Sequence, residues 1–266
     1  LTGADLTGAD LTSARLTSVR WEGVTADTDT KWPDGFQSTL PWSSITVVAA
    51  PTPPAPCVPA ASVSCPAANL KGASLAGTDL SDSAFVGGVL SLTDLRSATL
   101  DRADFTDANL SDANLGRASA RTANFTGASL SGANLRKADF ADAVLVRADL
   151  GSTDLYQANL NGADLSGASL AYASGRWANL LGADLSSASL VGASLPWASL
   201  NIADLTNADL TNADLKRANL SGSVLTGATM TGATLTGAFA SSATTWPTGF
   251  DPVAAGVITW LQTSPR

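Results

Sequence analysis

Between Ala68 and Ala240 one five-residue pattern recurs almost without interruption. Leu, Phe or Met stands at nearly every position divisible by five from Leu70 to Leu235, and a small residue, usually Ala, stands two places before it. Five is the period of neither regular secondary structure. On an α-helix every fifth residue lands about 140° further round, so Leu70, Leu75, Leu80 and Phe85 would spiral over every face. On a straight strand, positions five apart point alternately up and down. Either arrangement leaves about half of the Leu residues in water, against a burial free energy of roughly 1.5–3 kcal/mol per large side chain. Within one unit, however, the small residue and the Leu are two apart and share one face of an extended segment. The remaining residues, such as Thr106-Asp107 or Ser131-Gly132, are turn formers. A chain that corners toward its Leu side after each unit keeps every Leu inside. The pattern therefore predicts a solenoid wound around an apolar axis, its coils stacked at the β-sheet spacing. Periodicity alone leaves the number of sides open.

Units such as Ala103-Asp104-Phe105-Thr106-Asp107 and Ala108-Asn109-Leu110-Ser111-Asp112 follow the pattern A-(D/N)-L-(S/T)-(G/D/N), which resembles the pentapeptide-repeat family over about two-thirds of the chain. The resemblance implies an all-β fold: a right-handed quadrilateral parallel β-helix with four units per coil. Leu and Ala would point inward and the other three positions outward. The segment then holds roughly nine coils, about 40 Å long at the strand spacing.

The remainder of the chain divides around this segment. Leu1, Leu6, Leu11, Leu16 and Trp21 carry the same pattern over residues 1–25, too little to bury a core alone, since solenoid units depend on their neighbours. Trp21 and Leu70 are 49 residues apart, so the register slips by one and residues 26–66 form an excursion. It contains Thr30-Lys31-Trp32-Pro33-Asp34-Gly35-Phe36, matched near the end by Thr244-Thr245-Trp246-Pro247-Thr248-Gly249-Phe250. Both are read as caps over an open solenoid end, which otherwise exposes unpaired strand groups. Residues 1–25 are then either the tail of a separate first solenoid or part of one continuous stack with the main helix, residues 26–66 being a looped-out insertion; stacking on the main helix is favoured. Residues 41–66, with Pro51-Thr52-Pro53-Pro54-Ala55-Pro56, read as an extended linker. The main helix spans 67–243, and 244–266 form a cap and tail, with Phe250 to Leu261 as an apolar flap over the last coil.

Composition removes several function classes. The chain has no His and only two cysteines, Cys57 and Cys65, both in the linker; no catalytic constellation, metal site or cofactor is expected. Asp pairs lie on convex faces where nothing excludes water, and an interior filled by Leu and Ala leaves no ligand pocket. Thr226, Thr231 and Thr236, five apart, fall on three different sides and make no flat array. A net charge of −8 disfavours binding to nucleic acid through phosphate neutralisation. No apolar run is long enough for a membrane span. Two readings of the cysteines stay open, a disulfide in an extracytoplasmic compartment or two reduced thiols; the cytoplasm is slightly favoured. The chain opens at Leu1 inside a repeat, which suggests upstream residues, and its Arg, Ala and Trp usage suggests a bacterial source.

With four units to a coil, residues twenty apart stand in file and the sequence sorts into columns. Phe85, Phe105 and Phe125 make an interior ladder. Gly175 and Ala120 stand at Leu positions and open gaps, that at Gly175 to be covered by Trp177 or taken up by a dent. One outer edge gathers Arg96, Arg117, Arg136, Lys137, Tyr156, Arg176, Trp177, Trp197, Lys216 and Arg217, seven of the eleven cations between residues 68 and 240. The next two columns are rich in Asp. Exposed Trp and Arg together are typical of binding hot spots. The same Arg residues could instead neutralise Asp94, Asp154 and Asp214 in the same column. Two functions follow: a non-catalytic scaffold binding an unidentified protein partner along this edge, or, as the resemblance implies, an acidic rod mimicking DNA toward DNA gyrase. The resemblance also implies possible dimerisation through the C-terminal coils.

Overall fold

The computed structural model describes residues 24–26, 30–31, 45–47 and 60–260. The chain divides into two units, Leu1–Val58 and Pro59–Arg266. In the first, strand β1 (Val24–Ala26) pairs in parallel with β2 (Ile45–Val47), Val24 opposite Ile45. Thr30 is buried and Lys31 exposed. The rest of the 1–25 segment, the Trp32–Phe36 stretch of the first cap motif and the Pro-rich linker up to residue 59 lie outside the described residues.

The second unit is a coil, as the period demands, and it has the four sides that the family resemblance implies. Parallel bridges link each unit to the one twenty residues on, from Ser64↔Ala84 through Asn219↔Phe239. From Leu80 to Leu225 nearly every Leu or Phe at the fifth position is buried, as is the small residue two before it. Phe85, Phe105 and Phe125 stack with centroids 5.3 and 4.9 Å apart. Phe140, from another side, joins them at 5.1 Å. Ser83, Thr93, Thr153 and Ser223 take the small inward position, and their hydroxyls donate to backbone carbonyls such as those of Leu70 and Leu150.

In the interior of the stack, a unit with Asp or Asn at its second position has a partner for every backbone donor. In the unit after Leu130, for example, Ala133 N closes the turn onto Leu130 O, Asn134 N donates back to Ala113 O, and Leu135 N and Lys137 N donate forward to Asp154 O and Tyr156 O. The fifth donor, Arg136 N, is taken by the Asn134 side chain at 3.0 Å. The same Asx bond recurs at Asp104–Thr106, Asp184–Ser186 and Asp209–Thr211. Asp and Asn interchange in the repeat because one side-chain oxygen suffices. At Ser194, whose hydroxyl makes no such bond, residue 196 is Pro and has no N–H to satisfy.

Cornering has a conformational cost. Every fifth residue from Ser62 to Gly237 has a positive φ, including Tyr172, Trp177, Trp197 and the β-branched Thr122 and Ile202. For an L-residue this region costs roughly 1–2 kcal/mol. Side chains in this position lean along the stack onto their counterpart twenty residues later: Asp82 onto Arg102, Tyr172 onto Gly192, Ile202 onto Gly222. Glycine leaves room for them.

At the C-terminal end, β3 (Phe239–Ser241) pairs in parallel with β4 (Ile258–Trp260), adding a strand to the last coil. The second cap motif turns as its Pro-x-Gly suggests, Phe250 N donating to Pro247 O with Gly249 at φ 82°. Trp246 stacks on Phe250 at 5.2 Å, both half-buried. Thr244 does much of the closing: its hydroxyl donates to Leu220 O and accepts from Gly222 N.

Candidate partner-binding corner

The ten residues expected along the outer edge lie on one corner of the coil. Arg96, Arg136, Tyr156, Arg176 and Lys216 hold the first turn position. Arg117, Lys137, Trp177, Trp197 and Arg217 hold the second, positive-φ position. Six coil steps separate residue 97 from residue 217, roughly 29 Å at the strand spacing.

The corner has two chemically different halves. In the half nearer the C-terminus, cations lie on rings: Arg136 over Tyr156 at 4.3 Å, Arg176 over Trp177 at 4.0 Å and Arg217 over Trp197 at 4.7 Å. Tyr156 meets Trp177 edge-on at 5.6 Å. Trp177 and Trp197 remain 40% and 42% exposed, so the stacking leaves aromatic surface free for contact. Tyr172 (68% exposed) and Ile202 (64%) stand on the two adjoining corners at the same height. Their signal was present in the sequence, as bulky residues at a position that elsewhere is often Gly, Asp or Asn.

The gap at Gly175 is filled by neither expected means. A Cβ placed there would lie 2.5 Å from Leu195 Cδ2, so the side chain of the next coil occupies the space. Trp177 is thereby left on the outer corner. Ala120, in the second such gap, is fully buried.

In the other half the corner is concave. The small residues Ala76, Gly77, Ser97 and Gly116 floor a depression of about 640 Å³, walled by Arg96, Arg117, Arg136 and Lys137. Arg96 is held by Asp94 through two bonds of 2.8 and 2.6 Å, and Arg136 reaches Asp154 at 2.9 Å. Lys216, further along, approaches Asp214 at 3.5 Å. Neutralisation within the column, one of the two readings of these cations, therefore applies to three of them. Arg117 and Lys137 make no ion pair among the described residues. The Arg96 guanidinium holds Asp94 below the ordinary carboxylate range, and Asp94 in turn raises Arg96.

The acidic columns read differently in the structure. Asp104, Asp164, Asp184 and Asp204 each spend an oxygen on a backbone N–H two residues on. Asp82 is paired with Arg102 and Asp139 with Arg121. Among the described residues no cluster of three or more His, Cys, Asp or Glu is placed for a metal ion, and no helix is long and apolar enough to cross a membrane. Cys65 is buried and is not a free thiol. Cys57 lies outside the described residues, and the expected bridge between the two with it.

The model of the family described as pentapeptide repeats matches residues 1–20, 67–102, 89–127, 103–142, 123–162, 158–201 and 203–239. Among solved structures, HetL, a pentapeptide repeat protein involved in heterocyst differentiation regulation from the cyanobacterium Nostoc sp. strain PCC 7120, is 38% identical. That match covers 66% of this chain and 89% of HetL, with a TM-score of 0.50. The pentapeptide repeat protein alr5209 of Nostoc is 35% identical over 42% of this chain and 84% of its own, with a TM-score of 0.23. QnrB1, a plasmid-mediated fluoroquinolone resistance protein, is 18% identical over 66% of this chain and 79% of its own, with a TM-score of 0.30. No curated protein matches. The repeat pattern, the twenty-residue coil and the family match agree: this chain belongs to the pentapeptide repeat family and folds as its right-handed quadrilateral β-helix.

Proposed function

We propose that the protein is a non-catalytic scaffold that binds a protein partner along the cationic–aromatic corner. The observation that carries this is the exposure of Trp177 and Trp197, 40% and 42%, each with an arginine lying over its ring. Trp and Arg side by side supply the large, partly desolvated contact that dominates interface energetics. HetL, itself involved in regulation, accords with a binding rather than a catalytic role. The test is affinity capture with wild-type bait, identification of the retained protein, and titration of the purified pair. Trp177→Ser/Trp197→Ser should weaken binding at least tenfold, whereas an unchanged Kd removes the corner from the interface.

A second reading, a DNA-mimicking protector of DNA gyrase, is favoured by the net charge of −8 and by the file of Asp164, Asp184 and Asp204 along one face. It needs a continuous acidic face, and the pairing of Asp82 with Arg102 and of Asp139 with Arg121 interrupts the other acidic column. The absence of any effect on gyrase supercoiling or drug-induced cleavage at micromolar protein would end it.

A further inference from the structure

We infer that the ligand of the corner is an extended acidic segment of the partner polypeptide, laid along the stack. Its carboxylates would enter the depression beside Arg117 and Lys137, and its apolar side chains would lie against Tyr156, Trp177 and Trp197. This rests on the scaffold reading above and specifies the chemistry of the partner.

Four observations converge on it. The outside of a Leu-filled rod is convex, yet here the small residues Gly77, Ser97 and Gly116 leave a hollow of about 640 Å³. Its walls carry donors in excess of acceptors. Arg117 and Lys137 have no carboxylate partner among the described residues. Asn114 and Asn134 spend their oxygens on Gly116 N and Arg136 N, and their amide nitrogens donate no hydrogen bond among those residues. Charge-assisted donors of this kind suit carboxylate oxygens.

The hollow also opens in line with the aromatic half of the same corner, so one ligand can reach both. The corner's span of roughly 29 Å matches about nine residues of extended chain at ~3.3 Å each. Finally, the protein around the corner is acidic, with a net charge of −8. Asp94, Asp154 and Asp214 flank the corner itself and are already paired with Arg96, Arg136 and Lys216. A nucleic acid, charged at every phosphate, would meet repulsion along its whole length. A peptide can place a few carboxylates at the hollow and neutral side chains elsewhere.

The experiment uses fluorescein-labelled peptides of about twelve residues. One carries Asp and Glu in one half and Leu and Trp in the other; a second replaces the acids with Lys; an oligonucleotide of equal charge is the third probe. Anisotropy titrations against the wild-type chain should show binding of the acidic peptide in preference to both others. Arg117→Glu/Lys137→Glu should raise its Kd at least tenfold, while Arg147→Glu, on another corner, should change it less than twofold. Circular dichroism confirms that each variant is folded. Equal binding of the Lys peptide or the oligonucleotide, no binding of the acidic peptide, or indifference to the charge reversal overturns the inference. A captured partner that is lost on Trp177→Ser/Trp197→Ser but indifferent to Arg117→Glu/Lys137→Glu would leave the scaffold standing and remove its acidic ligand. Indifference to both variants would remove the two together.

Discussion

Gly87 and Gly192 form a matched pair for testing how the corners of this helix are built. Both have φ 64°. A Cβ added at Gly87 meets nothing within 4 Å, whereas one at Gly192 would lie 2.7 Å from Tyr172 Cδ1 and Cε1. Gly87→Ala therefore reports the left-handed backbone alone. The penalty is roughly 1–2 kcal/mol, offset by about 0.4–1 kcal/mol from the reduced freedom of the unfolded chain, leaving a loss of about 1 kcal/mol. Gly192→Ala adds the displacement of the Tyr172 ring. That side chain is 68% exposed, so it can swing away, forfeiting roughly a third of a burial of about 200 Å². At 25 cal/mol per Å² this is on the order of 1.5 kcal/mol. Expected losses are then about 1 and about 2–2.5 kcal/mol, read as melting-temperature shifts by circular dichroism of roughly 2–4 °C per kcal/mol. In a Tyr172→Ala background the excess at Gly192 should vanish, because the coupling exists only while the ring is there. Equal losses at the two glycines, or an excess that survives Tyr172→Ala, would refute the reasoning that positive-φ side chains lean onto the next coil.

Two further outcomes follow from the polar accounting. Asp184 accepts from Ser186 N at 2.8 Å and stands in file between Asp164 and Asp204. Asp184→Asn keeps the acceptor and relieves like-charge stacking, so the melting temperature should hold or rise, while Asp184→Val should cost about 1 kcal/mol by leaving the N–H without its acceptor. The second concerns acid. Asp79, Asp82, Asp94 and Asp209 titrate below the ordinary range because Ser81, Arg102, Arg96 and Thr211 donate to them. Groups depressed in the folded state contribute stability that is complete above the unfolded value of about 3.9 and is lost as pH falls through the folded one. Thermal melts should be flat from pH 7 to about 5 and decline below about 4, modestly because these groups are exposed; a decline centred near pH 6 would assign the loss to something else.

Much of this was legible in the chain itself. The spacing of Leu70 to Leu235 placed the core; the four units per coil that the family resemblance implies then put Phe85, Phe105 and Phe125 in one file and collected Arg96 through Arg217 on one corner. What escaped the pattern depends on direction rather than on period. Phe140 joins the aromatic stack from another side, which a column count cannot reveal. Gly175 read as a hole, yet Leu195 reaches into it, because side-chain volume is shared between coils. The Asp residues counted as outward charge, although Asp104, Asp184 and Asp209 are committed to the backbone. The hollow beside Arg117 and Lys137 was invisible because it is made by what Gly77, Ser97 and Gly116 lack. Tyr172 and Ile202 could have been found as bulky residues at a turn position that otherwise favours Gly, Asp or Asn.

The corner exists as a surface only if residues twenty apart are neighbours along the stack. Paired nitroxide labels at Lys137→Cys and Gln157→Cys, in a chain whose native cysteines are replaced by Ser, test this directly by electron paramagnetic resonance. Two coils in file place the labelled backbones about 4.8 Å apart, which predicts strong spin–spin broadening. A Lys137→Cys/Ser152→Cys pair, on different corners, should broaden far less. Broadening that is weak in the first pair, or equal in both, would contradict the twenty-residue coil and the binding corner built on it.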